Sequence, residues 1–126
     1  MELRDKVVVI TGGSGGIGKA MAIAFLQEGA KAIMLADLNE EAVKQAAAEI
    51  GCDGMACDVT DEAQIVALVE ATEAQHGAID VFCSNAGAGG SGLLTEAENA
   101  VWQQQWELHV MAHMYAARAV LPGMLK

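Results

Sequence analysis

The segment Thr11-Gly12-Gly13-Ser14-Gly15-Gly16-Ile17-Gly18 decides how this chain is read. It follows Val7-Val8-Val9-Ile10, a short β-branched run with the look of a buried strand. It precedes Ile17 to Glu28, rich in Ala, Ile and Leu, with Gly29 where a helix would end. A glycine cluster between a strand and a helix permits a tight turn and close packing of that helix on the sheet. It also lets an anionic group approach the backbone, where free N–H groups and the positive end of the helix dipole would meet it.

Working outward, the alternation continues. Ala32 to Ala36 is a second apolar run closed by Asp37; Asn39 caps a helix from Glu40 to about Ile50, with Gly51 beyond it. A weaker strand, Gly54 to Cys57, leads to Asp58. Thr60 is expected to cap a helix from Asp61 to about His76, which Gly77 ends. Ile79 to Cys83 reads as a fourth strand. A Gly-rich loop from Asn85 to Gly92 then precedes a long helix, about Glu98 to Leu121, with Pro122 in or just past its last turn. Strands that alternate with helices and are continuously apolar predict a parallel sheet covered on both faces.

Composition narrows the classes. With 126 residues there is room for one domain, and 53% hydrophobic residues can build its core. That fraction is high enough to suggest a covering partner or a missing part of the fold. A formal charge of -10 argues against nucleic acid, which needs clustered Lys and Arg. The three cysteines, Cys52, Cys57 and Cys83, form no CxxC pair, so neither a disulfide framework nor a metal site is expected; Cys83 reads as a small buried hydrophobe. The charged N-terminus carries no signal-peptide pattern, and no run has the length of a membrane span. A cytoplasmic protein with no membrane partner is the expectation.

The chemistry in this pattern is that of a dinucleotide site. Asp37 closes the second strand 19 positions after Gly18, where a carboxylate can accept both hydroxyls of an adenine ribose and repel a 2′-phosphate. NAD is therefore favoured over NADP. Lys19 does follow Gly18, but Ala20 after it breaks the P-loop spacing, which disfavours NTP hydrolysis. Small residues at Asn85-Ala86-Gly87 leave room for a ligand at a strand end, and Asn85 can tie neighbouring backbone together. His109 and His113 have the one-turn spacing of a metal pair, but no third ligand lies nearby, and helix packing or a polar helix face is the preferred reading.

With Thr11-Gly-x-x-x-Gly16-x-Gly18 in place, Asp58-Val59, Ser84-Asn85-Ala86-Gly87 and the helix from Trp102 to Pro122 resemble the short-chain dehydrogenase/reductase family over nearly the whole chain. The resemblance implies hydride transfer between nicotinamide and an alcohol or carbonyl carbon. It implies cofactor contacts at Gly12, Ser14, Gly15, Gly16, Ile17, Gly18, Asp37, Leu38, Asp58, Val59, Asn85, Ala86 and Gly87. It also supports NAD, because NADP-using relatives often carry Arg or Lys where this chain has Gly15. The Asn85-Ala86-Gly87 segment and the family-like last helix argue against a Rossmann-like methyltransferase.

The chain departs from the family pattern at several places. Ser84 stands where the family usually has Asn, and His109 stands where it usually has a helix Asn that assists proton relay. The family's Ser and Tyr-x-x-x-Lys are missing: the single tyrosine, Tyr115, has Ala119 four residues on. No catalytic residue is therefore assigned. The expectation is a Rossmann-type doubly wound parallel sheet in the order 3-2-1-4, truncated to about four strands and four helices. Residues 1–126 would form a single NAD-binding domain, inactive alone. The last helix carries too much apolar surface for one face, which predicts a homo-oligomer through that helix. A non-catalytic NAD-binding or dimerising module is the alternative.

Overall fold

The computed structural model describes residues 1–90 and 92–126; Ser91, within the expected Gly-rich loop, lies outside the described residues. Four strands, β1 (Val7–Thr11), β2 (Ala32–Asp37), β3 (Asp53–Ala56) and β4 (Val81–Cys83), form one parallel sheet in the order β3-β2-β1-β4. The helices between them are α1 (Gly16–Gln27), α2 (Glu40–Ile50) and α3 (Glu62–His76). The expected strand order and alternation are present.

Strand period sorts the core into two layers, because successive side chains point to opposite faces. Val8 and Ile10 of β1, with Ile33 and Leu35 of β2, pack against Ala22 of α1 and Val43, Ala46 and Ala47 of α2. Val7, Val9, Met34 and Ala36 face the other way, onto Ile65, Leu68 and Val69 of α3 and onto the last helix. β1 is buried at every position because it is central and covered on both sides. β4 is an edge, and its residues are only half-buried. Cys83 is among them, so it is a half-buried rather than a fully buried hydrophobe.

Boundaries differ where side chains take over from propensity. Asn39 caps α2 as expected, its side chain accepting from the Ala42 amide at 2.9 Å, and Gly51 ends that helix in the left-handed region. The cap of α3 is Asp61, not Thr60: Asp61 accepts from the Ala63 amide, while the Thr60 amide and hydroxyl both donate to Asp58. The fourth strand, expected from Ile79, begins only at Val81: the Asp80 amide donates to the Val7 carbonyl at 2.9 Å, but the Val7 amide is taken by the Asp80 carboxylate at 2.8 Å.

The last helix is longer than expected and not uniform. It runs as α4 (Asn99–Trp106), a wider π-turn (Glu107–Met111) and α5 (Ala112–Met124), with right-handed backbone at both junctions. Pro122 lies inside its final turns. Ala112, Ala116 and Val120 are buried against the α3 side of the sheet, whereas Trp102 and Trp106 are each more than half exposed. Among the described residues no helix is long and apolar enough to cross a membrane.

Candidate functional site

Parallel strands place all their C-terminal ends on one edge of the sheet, and ligands of such sheets collect there. Here the edge opens into a cleft of about 660 Å³, bounded by the loops after all four strands and by Gln104, Glu107 and Leu108 of the last helix. The floor is the glycine loop. Gly12 sits at φ +68°, which favours glycine, and a side chain there would meet the Ala86 backbone at 3.0 Å. A Cβ on Gly18 would run into the Gly12 carbonyl, and one on Gly13 would lie 2.7 Å from Leu35. These glycines bring α1 close to the sheet. Gly16 has a different task, for nothing lies within 4 Å of where its Cβ would be.

The start of α1 is left free of intramolecular anions. Its first intrahelical bond beyond the cap is Lys19 N–H to the Gly15 carbonyl, so the amides of Gly16, Ile17 and Gly18 precede the helical ladder. Helix α2 begins with the Asn39 cap and with Glu40 and Glu41 in its first turn, and α3 begins with the Asp61 cap and Glu62. Helix α1 has neither a side-chain cap nor an acid there. Its dipole end faces the cleft, a position suited to an external anion.

One wall is made after β2 and β3. Asp37 is held by three donors: the Ser14 amide at 3.0 Å and hydroxyl at 2.5 Å on one oxygen, and the Leu38 amide at 2.7 Å on the other. Ser14 thus orients Asp37 and is not itself a lining residue. Leu38 and Ile17 expose about 70% of their surface beside it, leaving apolar faces open at the cleft mouth. Asp58 is fixed by the Thr60 amide and hydroxyl, and Val59 is buried behind it. The charged residues lining the cleft, Asp37, Asp58 and Glu107, are all acidic. A dinucleotide pyrophosphate therefore fits by way of backbone amides, and an extra phosphate near Asp37 would meet no lining cation.

The opposite wall follows β4. Thr11, 1% exposed, is its anchor: its hydroxyl accepts the Asn85 amide at 3.0 Å and the Ala86 amide at 3.1 Å. The Asn85 side chain donates back to the Thr11 carbonyl at 3.1 Å, the tie between neighbouring backbones expected of it. Gly87 lies under the His109 ring, where a Cβ would stand 3.0 Å from Cε1. His109 contacts the Ala88 carbonyl and His113 contacts the Ser84 hydroxyl, so the two rings have separate partners. Among the described residues no cluster of three or more His, Cys, Asp or Glu is placed to hold a metal.

Cys57 also lines the cleft, but burial first, then the charges of Asp58 and Asp61, push its thiol up to about 11, so it stays protonated at neutral pH. A protonated thiol is a poor nucleophile.

Comparison with known proteins agrees with this geometry. The family model described as short chain dehydrogenase matches residues 6–126. The chain belongs to the short-chain dehydrogenase family. It is 36% identical to 2-(S)-hydroxypropyl-CoM dehydrogenase 3 of Xanthobacter autotrophicus, over 98% of this chain and 50% of that protein. It is 42% identical to (+)-cis,cis-nepetalactol synthase NEPS3 of Nepeta racemosa, over 68% of this chain and 33% of that protein. A short-chain dehydrogenase/reductase from Burkholderia phymatum, solved in complex with NAD, superposes with a TM-score of 0.93 at 32% identity, over 99% of this chain and 46% of the other. The chain spans half or less of the length of these relatives.

Of the thirteen residues singled out from sequence, twelve meet in the cleft of this family member, and Ser14 supports it from behind. Sequence reasoning missed the far wall, Gln104, Glu107 and Leu108. It also missed the Thr11 hydroxyl as anchor, although Thr11 opens the glycine motif and could have been found there.

Proposed function

We propose that this chain is the cofactor-binding part of an NAD-dependent oxidoreductase that moves a hydride between nicotinamide and an alcohol or carbonyl carbon. The observation that carries the reading is the Asp37 carboxylate, pre-oriented by Ser14 and Leu38 at a cleft lined by no Lys or Arg. In this arrangement the adenine ribose hydroxyls bond to Asp37 and the pyrophosphate rests on the free amides of α1. The base lies against Leu38, Asp58 and Val59. Because β1 stands between β2 and β4, the remaining nucleoside extends toward Asn85, Ala86 and Gly87.

Bound NAD would supply the hydride acceptor; the chain's own residues bind it, orient it and set its distance from the far wall. The Ser and Tyr-x-x-x-Lys that would exchange the substrate proton are not among residues 1–126, so these residues alone bind cofactor without turning over an alcohol. We further propose a cytoplasmic setting, and self-association through the exposed side of the last helix, where Trp102, Trp106 and Val110 form an i, i+4, i+8 stripe. That stripe also favours the second reading, a non-catalytic dimerising module. Titration of the purified chain with NADH separates the two: saturable binding supports the first, and a folded chain that ignores NADH supports the second.

A further inference from the structure

The residues after β4, from Ser84 to Gly90, belong to no helix or strand, yet four of the first five are anchored by hydrogen bonds. From the β1 side, Thr11 takes the amides of Asn85 and Ala86. From the other side come two rings of the last helix. His113 Nδ1 lies 2.5 Å from the Ser84 hydroxyl, and His109 Nε2 lies 2.8 Å from the Ala88 carbonyl. A carbonyl only accepts, so Nε2 of His109 carries the hydrogen and donates. The His109 ring fits because residue 87 is glycine; a Cβ there would press on Cε1 at 3.0 Å. His109 lies within the π-turn, a widening of the helix that often marks a functional site, and its neighbours Glu107 and Leu108 line the cleft. Ser84 and His109 are two positions at which the chain departs from the family pattern, and both fall in this one set of contacts.

We propose that His109 and His113 are positioning residues: they brace Ser84 to Ala88 against the last helix and so fix the cleft wall that faces the nicotinamide half of the cofactor. The part about cofactor rests on the NAD reading above; the brace itself does not. With both rings in place the wall is set from two sides, by β1 and by the helix. Without them the segment keeps its ties to Thr11 and the bond from the Asn85 amide to the Cys83 carbonyl, and the carbonyl of Ala88 is free to turn.

Two measurements on the purified chain test this. Amide hydrogen exchange reports local opening without any ligand. In His109→Ala, the hydrogen-bonded amides of Asn85 and Ala86 are expected to exchange about tenfold faster, with those of α1 and α2 unchanged; Ser84→Ala, which removes the other anchor from the strand side, acts in the same direction. His109→Gln, whose side-chain amide can donate to the same carbonyl, restores protection. In titrations, His109→Ala weakens NADH by about fivefold, the size of one hydrogen bond, while ADP, which stops at the pyrophosphate, binds as before. Unchanged exchange in both His109→Ala and Ser84→Ala overturns the brace. Faster exchange with equal losses for NADH and ADP overturns its assignment to the nicotinamide side. Failure of the unaltered chain to bind NADH overturns the NAD reading and that assignment, and leaves the exchange result to decide the brace.

Discussion

Thr11 shows how much one hydroxyl can organise. It is buried, accepts two backbone amides and spans β1 to the β4 loop, so replacing it leaves the Ala86 amide without its partner, while the Asn85 amide keeps the Cys83 carbonyl at 2.9 Å. An unsatisfied buried donor costs about 1–3 kcal/mol. Thr11→Val, nearly the same in shape, should lower unfolding stability in urea by about 1–2 kcal/mol, and Thr11→Ser should recover most of it. A Val variant as stable as the parent would remove Thr11 from the account. Cys57 gives a second test at this scale. Its thiol is raised from 9.0 to about 11, the neutral form being favoured by burial. Alkylation of Cys57 in the folded chain by iodoacetamide should therefore stay slow through pH 9 and rise only toward pH 11, whereas Cys57 of the urea-unfolded chain reacts with a midpoint near 9. Rapid labelling of folded Cys57 at pH 8 would contradict the burial that sets this shift.

Among elements, α1 carries the heaviest constraint, because Gly18 lets it start against the loop backbone. Gly18→Ala puts a methyl into the Gly12 carbonyl, a backbone atom that cannot rotate away. The variant should lose about 1–3 kcal/mol and most NADH affinity together, since the same shift moves the first amides of the helix. Retained binding with parent stability would show the loop to be looser than described. The elements were legible in sequence where local chemistry acts alone: β-branched runs, the Asn39 cap and the glycine stops each point to one structure. The π-turn was not, because Glu107-Leu108-His109-Val110-Met111 contains no Pro or Gly to mark it. Nor could spacing decide between Thr60 and Asp61 as the α3 cap, since that depended on which hydroxyl Asp58 would claim. The cleft's near wall was readable because its residues follow strands in order. Its far wall comes from the helix that follows the β4 loop, and only tertiary packing folds that helix back over the cleft.

For the whole molecule, the sheet has a half-buried edge at β4 and the last helix has one face on the core and one in solvent. Trp102 and Trp106 are large apolar side chains on that outer face, and such surface usually meets a partner. Sedimentation of the purified chain should show concentration-dependent association that Trp102→Glu with Trp106→Glu removes, without loss of helix content. A monomer at all concentrations would assign the stripe no partner of its own kind. The central claim, however, concerns the cleft and its acid. The most direct test is fluorescence titration of the chain and of Asp37→Ala with NADH and with NADPH. The account predicts saturable NADH binding, NADPH weaker by about tenfold or more, and a variant that loses about tenfold for NADH and most of its preference. Equal affinity for the two cofactors in the parent chain, or a preference that survives Asp37→Ala, would contradict it.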